Sequence, residues 1–173
     1  SLLDERRDGT LARMLVAPVR HGSILVGKLL TSLVLGVVSM TVLAVATHFA
    51  LGAHWGNPLG VALLIVAGVL AATAVMALVA TLARTPDQAQ SWGSMTALVL
   101  GMLGGSFFPI AQAGGVLGAL SLLSPHGWFL RGLQELSGGA SATAALGPAA
   151  AILLFALLAG GIAATRVNRL VAP

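Results

Sequence analysis

The sequence contains no cysteine, which removes disulfides, thiolate metal ligands and cysteine nucleophiles from consideration. It is also poor in charge. Asp, Glu, Lys and Arg make up 8% of 173 residues, with a single lysine, whereas a soluble domain carries about 25%. Together with 57% hydrophobic residues and a mean hydropathy of +0.98, this leaves too little polar surface to cover a soluble globule. The chain therefore reads as an all-α integral membrane protein. The net charge of +4 would suggest a nucleic-acid partner in a soluble protein. Here it reflects Lys and Arg retained on the cytoplasmic side of a bilayer, and no nucleic-acid partner is expected.

Other absences narrow the function. No G-x-x-x-x-G-K-[ST] is present, so the chain has no P-loop for ATP. Neither H-E-x-x-H nor G-x-S-x-G occurs, which removes two intramembrane protease chemistries; Gly104-Gly105-Ser106 is followed by Phe107. The apolar runs hold no acidic or basic residue at mid-depth, as the coupling site of a proton- or ion-driven carrier would need. No internal repeat or low-complexity tail is visible. The expectation is a chain that is not an enzyme, with no cofactor and no metal of its own.

What charge there is sits mostly between Asp4 and Lys28, which holds eight of the fourteen charged residues. Leu3, Leu11, Met14 and Leu15 can share one helix face, with Asp4, Glu5, Arg6, Arg7 and Asp8 largely elsewhere. Gly9 breaks the periodicity, Thr10 is an N-cap for a short helix over Leu11–Ala17, and Pro18 stops it. Leu29 to Ala83 then carries no charge at all. That is too long for one span, since a helix crosses the hydrocarbon core in about 20 residues. The turn chemistry of Gly52-Ala53-His54-Trp55-Gly56-Asn57-Pro58 divides it. Four spans follow, at about 24–50, 59–83, 88–107 and 145–165, with Arg84-Thr85-Pro86-Asp87 as the turn between the second and third. Residues 108–140 read as an outer re-entrant or interfacial segment holding one or two short helices.

Four spans place the N-terminal segment, the Arg84 turn and the C-terminus on one side. That side has every Lys and Arg except Arg131, so the positive-inside rule makes both termini cytoplasmic. Gly101 and Gly105, and Gly160 with Ala156, form small-xxx-small patterns that permit close helix packing. Arg131 and Glu135 can pair at i,i+4, as a surface pair or as a contact at the outer mouth. His21, His48, His54 and His126 fit no metal spacing and read as interfacial polar residues; Trp55, Trp92 and Trp128 read as headgroup-level anchors.

The stretch Glu5-Arg6-Arg7-Asp8-Gly9-Thr10-Leu11-Ala12-Arg13, then Pro18-Val19, then Ile24-Leu25-Val26-Gly27-Lys28-Leu29-Leu30, resembles the ABC-2 type permease family, the membrane subunits of bacterial ABC exporters. Gln88-Ala89-Gln90, Gly105-Ser106-Phe107-Phe108-Pro109 and Ser124-Pro125-His126-Gly127-Trp128 extend the likeness over nearly the whole chain. The resemblance implies that 1–22 is a cytoplasmic coupling segment docked in a cleft of a separate ABC ATPase subunit. Its site residues would be Glu5, Arg6, Arg7, Gly9, Thr10, Leu11, Arg13, Met14, Leu15 and Pro18. ATP and Mg would sit on that partner. It further implies an outer segment or gate around Phe107, Phe108, Pro109, Pro125, Trp128, Arg131 and Glu135, and a second permease subunit, identical or not. The chain begins at Ser1 without an initiator Met, and the resemblance makes it the C-terminal portion of such a permease, third to sixth spans. Implied substrates are small amphiphiles such as drugs, antibiotics or lipid-like molecules, effluxed across the plasma membrane as in multidrug resistance. The alternatives are a membrane scaffold whose basic stretch binds anionic lipid, and an ion-coupled carrier.

A docking helix needs exposed charge for register and apolar anchors for grip. Arg13→Glu is therefore expected to uncouple ATP hydrolysis from transport while the spans still insert; transport at the wild-type rate would count against the docking role.

Overall fold

The computed structural model describes residues 21–107 and 115–171, and the coupling segment expected over 1–22 falls almost wholly outside them. The described part is helical throughout: α1 His21–Leu51, α2 Pro58–Leu82, α3 Pro86–Leu103, α4 Gly115–Ser121, α5 Pro125–Ser137 and α6 Leu146–Val171, with a 3-10 turn at Ala142–Ala145 before α6. No strand occurs among the described residues. Three helical stretches are long and apolar enough to cross a membrane: Gly27–Leu51, Pro58–Leu82 and Ala142–Val167.

The helix starts follow from local chemistry. Asn57 accepts from the N–H groups of Leu59 and Gly60 and is followed by Pro58, whose missing N–H costs nothing at that position. Thr85 with Pro86, and Ser124 with Pro125, repeat the device for α3 and α5. Expected and observed bounds differ for α6, which runs on to Val171 rather than 165, and for α3. α3 spans 18 residues, opens with the polar run Pro86-Asp87-Gln88-Ala89-Gln90, and ends at Leu103 instead of 107. Gly104 closes it, and Gly105 turns the chain at φ +86. Gly105 is thus a turn residue rather than the second half of a helical packing pair.

α2 is the hub. α6 runs parallel to it: Pro148 lies at the level of Leu64, and a Cβ on Gly160 would meet that of Ala74 at 3.7 Å. α1 and α3 run antiparallel to it. A Cβ on Gly36 of α1 would come within 2.6 Å of Val69, and one on Gly93 of α3 within 3.3 Å of the Met76 sulfur. α5 also runs antiparallel to α2, in a regular register. Leu136 lies against Gly56 and Gly60, Gly132 against Leu64, and Phe129 against Gly68. Gly68 is ten residues along α2, so α5 follows it for about 15 Å. The core is built where these elements meet, with Leu64, Leu136 and Ile152 fully buried.

Gly56 combines a tight approach with a left-handed backbone. It sits at φ +82, and a Cβ there would clash with the Leu136 carbonyl oxygen. Gly139 has φ +92 but nothing near its Cβ position. Gly139→Ala should therefore cost only backbone strain, about 1 kcal/mol, and Gly56→Ala strain plus a backbone clash, about 2 kcal/mol or more. Thermal unfolding in detergent tests the ranking; equal losses would mean that the Leu136 carbonyl moves aside without cost.

Candidate functional site

The ATPase-coupling candidates Glu5, Arg6, Arg7, Gly9, Thr10, Leu11, Arg13, Met14, Leu15 and Pro18 lie outside the described residues, as do Phe108 and Pro109 of the outer segment. The rest of the outer segment is described. Pro125, Trp128, Arg131 and Glu135 all fall on α5, while Phe107 follows the turn at the end of α3. The Phe107 ring covers Gly101, whose Cβ position is 3.3 Å from it, although Phe107 itself is 60% exposed.

α5 begins where α3 ends. Ser124 is fully buried and works in two directions. Its hydroxyl donates to the Leu100 carbonyl at 2.7 Å, a second bond to an oxygen that already accepts from the Gly104 N–H at 2.9 Å, and accepts from the His126 N–H at 3.2 Å. Gly104 packs against His126 and the Gly127 N–H, and Gly127 against the Ser121 carbonyl, too closely for any side chain at either glycine. The carbonyl end of one helix thus meets the N–H end of the next, partial charges of opposite sign. Since Phe129 already lies at the level of Gly68, this junction is one turn further along α2, near its middle.

Trp128 is half-buried and its indole N–H donates to the Leu122 carbonyl at 2.9 Å. The Arg131 guanidinium lies 5.7 Å from the Trp128 ring centroid, and its Nε donates to Glu135 Oε1 at 3.1 Å. Both partners are exposed, so the pair contributes about 0.3–0.5 kcal/mol at most. Ser121, Ser124, Gly104 and Gly127 organise the segment; Ser124 and Gly127 belong to a motif that the sequence offered, without this packing role, and Ser121 and Gly104 were not candidates. The Ser-Pro at 124–125 carries the signal, a cap followed by proline, but in so apolar a chain it reads as an interruption.

Nearer the other end, α2 and α3 diverge around an open groove of about 330 Å³ lined by Val79, Leu82, Trp92, Met95, Thr96, Val99 and Leu100. It offers hydrocarbon contact and one hydroxyl. Among the described residues no three of His, Cys, Asp or Glu gather to hold a metal.

Comparison with known proteins places this arrangement. The family model for the ABC-2 type transporter matches residues 1–136. The chain belongs to the ABC-2 type transporter family. The linearmycin resistance permease protein LnrN of Bacillus subtilis (strain 168) is 30% identical over 169 residues, which cover 96% of this chain and 44% of LnrN. The chain thus spans under half the length of that relative. No solved structure matches it. Family membership and the apolar helices make this a multi-pass membrane protein. The matched stretch of this ABC-2 chain contains both the polar N-terminal segment and the α3–α5 junction, and ends inside α5.

Proposed function

We propose that this chain is the membrane-spanning part of a bacterial ABC exporter that moves small amphiphiles (drug, antibiotic or lipid-like) out across the plasma membrane. It is driven by a separate ABC ATPase subunit that carries ATP and Mg. The observation that carries the reading is the family match across the charged N-terminal stretch, the part of an otherwise apolar chain suited to gripping a soluble partner. LnrN is named as a linearmycin resistance permease, which favours a cargo whose removal confers resistance. The apolar groove between α2 and α3 is compatible with a small amphiphile.

In this reading the first 22 residues are the coupling segment, and Arg6, Arg7 and Arg13 face acidic groups on the ATPase while Leu11, Met14 and Leu15 fill its pocket. α1, α2 and α6 are three of four spans. The fourth crossing is composite: α3 enters from the side of the Arg84 turn, and α4 and α5 form the re-entrant segment that meets it. Lys28, Arg84 and Arg166 mark one end of the bundle and Arg131 the other, which supports cytoplasmic termini. A second permease subunit, identical or related, would complete the pathway together with surrounding lipid.

The test is co-expression of the complete permease with candidate ATPases, followed by purification with and without charge reversal at Arg6, Arg7 and Arg13. One ATPase should co-purify, be lost on reversal with insertion intact, and drive amphiphile transport that stops without ATP. Binding of no ATPase would leave a membrane scaffold. Transport that persists without ATP and collapses with the proton gradient would make the protein an ion-coupled carrier.

A further inference from the structure

We propose that His48 and His54 form a binding site for a borderline divalent cation, Zn²⁺ or Cu²⁺, where α1 passes into the α1–α2 loop. Their separation in sequence fits no metal-binding spacing, but the turn at Gly52 folds the loop back on the helix. The two ring centroids are 6.3 Å apart, with the ring planes at 74°. A metal held at about 2.0–2.1 Å by one nitrogen of each imidazole sets the centroids about 5–6.5 Å apart, so the backbone need not move. Both side chains are exposed, which leaves the His54 ring room to turn about its own side-chain bonds.

The protonation pattern of His48 is already that of a ligand. Its Nδ1 lies 2.8 Å from the Ala53 carbonyl oxygen. A carbonyl can only accept, so Nδ1 carries the proton and Nε2 presents a lone pair. Metal-binding histidines commonly donate their second N–H to a carbonyl in this way, which fixes the ring and raises the basicity of the ligating nitrogen.

The loop carrying His54 is held by contacts independent of either imidazole. Gly52 takes φ +66, the Ala53 N–H donates to the Thr47 carbonyl at 3.2 Å, and the Trp55 indole donates to the Ala44 carbonyl at 3.1 Å and to the Thr47 hydroxyl at 3.2 Å. The pair is thus brought together before any ion arrives. No Lys or Arg lies between Leu29 and Ala83 in the sequence, and Arg131 of α5 is paired with Glu135.

Two imidazoles and no carboxylate select Zn²⁺, Cu²⁺ or Ni²⁺ over Mg²⁺ or Ca²⁺. With no third protein ligand gathered among the described residues, water fills the open positions and the ion exchanges. The bound ion ties the last turn of α1 to the loop that leads into the Asn57 cap of α2.

The permease in lipid nanodiscs is titrated with Zn²⁺ against a chromophoric chelator. One equivalent should bind in the micromolar range, at least tenfold more weakly in His48→Gln or His54→Gln, and unchanged in His126→Gln. Cu²⁺ bound to the unaltered protein should show two equivalent nitrogen couplings by electron paramagnetic resonance, a readout that does not depend on how the variants fold. Wild-type affinity in either single variant, an equal loss in His126→Gln, or one nitrogen coupling would overturn the site.

Discussion

Helices in lipid gain nothing from hiding apolar side chains from one another, since the surroundings are equally apolar. What holds them is close contact between backbones, and that requires small residues. α2 supplies or meets such residues on every side that is packed. Gly36 of α1 lies on Val69, Gly60 receives Leu136, Gly68 receives Phe129, and Ala74 faces Gly160. The rest of the arrangement depends on these approaches. The buried residues of α2 run from Gly60 to Ala71, with only Val79 beyond. Packing is therefore dense at the end where α5 joins and loose at the other, where the groove beside α3 opens.

Helix ends were legible in the sequence because their determinants are local. Asn57-Pro58 and Thr85-Pro86 fall where cap and proline chemistry puts them. The same rule starts α5 at Ser124-Pro125, but a helix of 13 residues is too short to cross, so from sequence the segment reads only as re-entrant or interfacial. Its course along α2 is fixed by Gly56, Gly60, Gly68 and Gly132, residues that are neighbours only once the fold exists. No periodicity reports that. The pairing of His48 with His54 is hidden for the same reason, since it depends on the loop folding back at Gly52. The charged stretch is the reverse case, rich in sequence information and outside the described residues.

α3 is tied at both ends to one body. At its start, the Arg84 N–H donates to the Gln88 side chain at 3.0 Å and the Gln88 N–H to Thr85 at 3.2 Å, making a stiff turn from α2. At its end, Ser124 and Gly104 fasten it to α5, which is packed on α2 and α6. α1 is held differently. None of the apolar stretch of α1 is fully buried, whereas 28% of each of the other two candidate spans is. Its apolar attachments among the described residues include one ridge, with Leu33, Val37, Met40 and Ala44 against the core, and Trp55 at its far end. α1 is also the helix that follows the charged stretch. On the proposed coupling, a displacement of that stretch by an ATPase would reach α1 first. It would meet a helix packed along one ridge, beside a body of four helices packed closely at small residues. Relative motion is then cheapest along the α1–α2 seam, where the Val69 side chain sits on Gly36 and the α1 contribution is confined to Leu33, Val37, Met40 and Ala44.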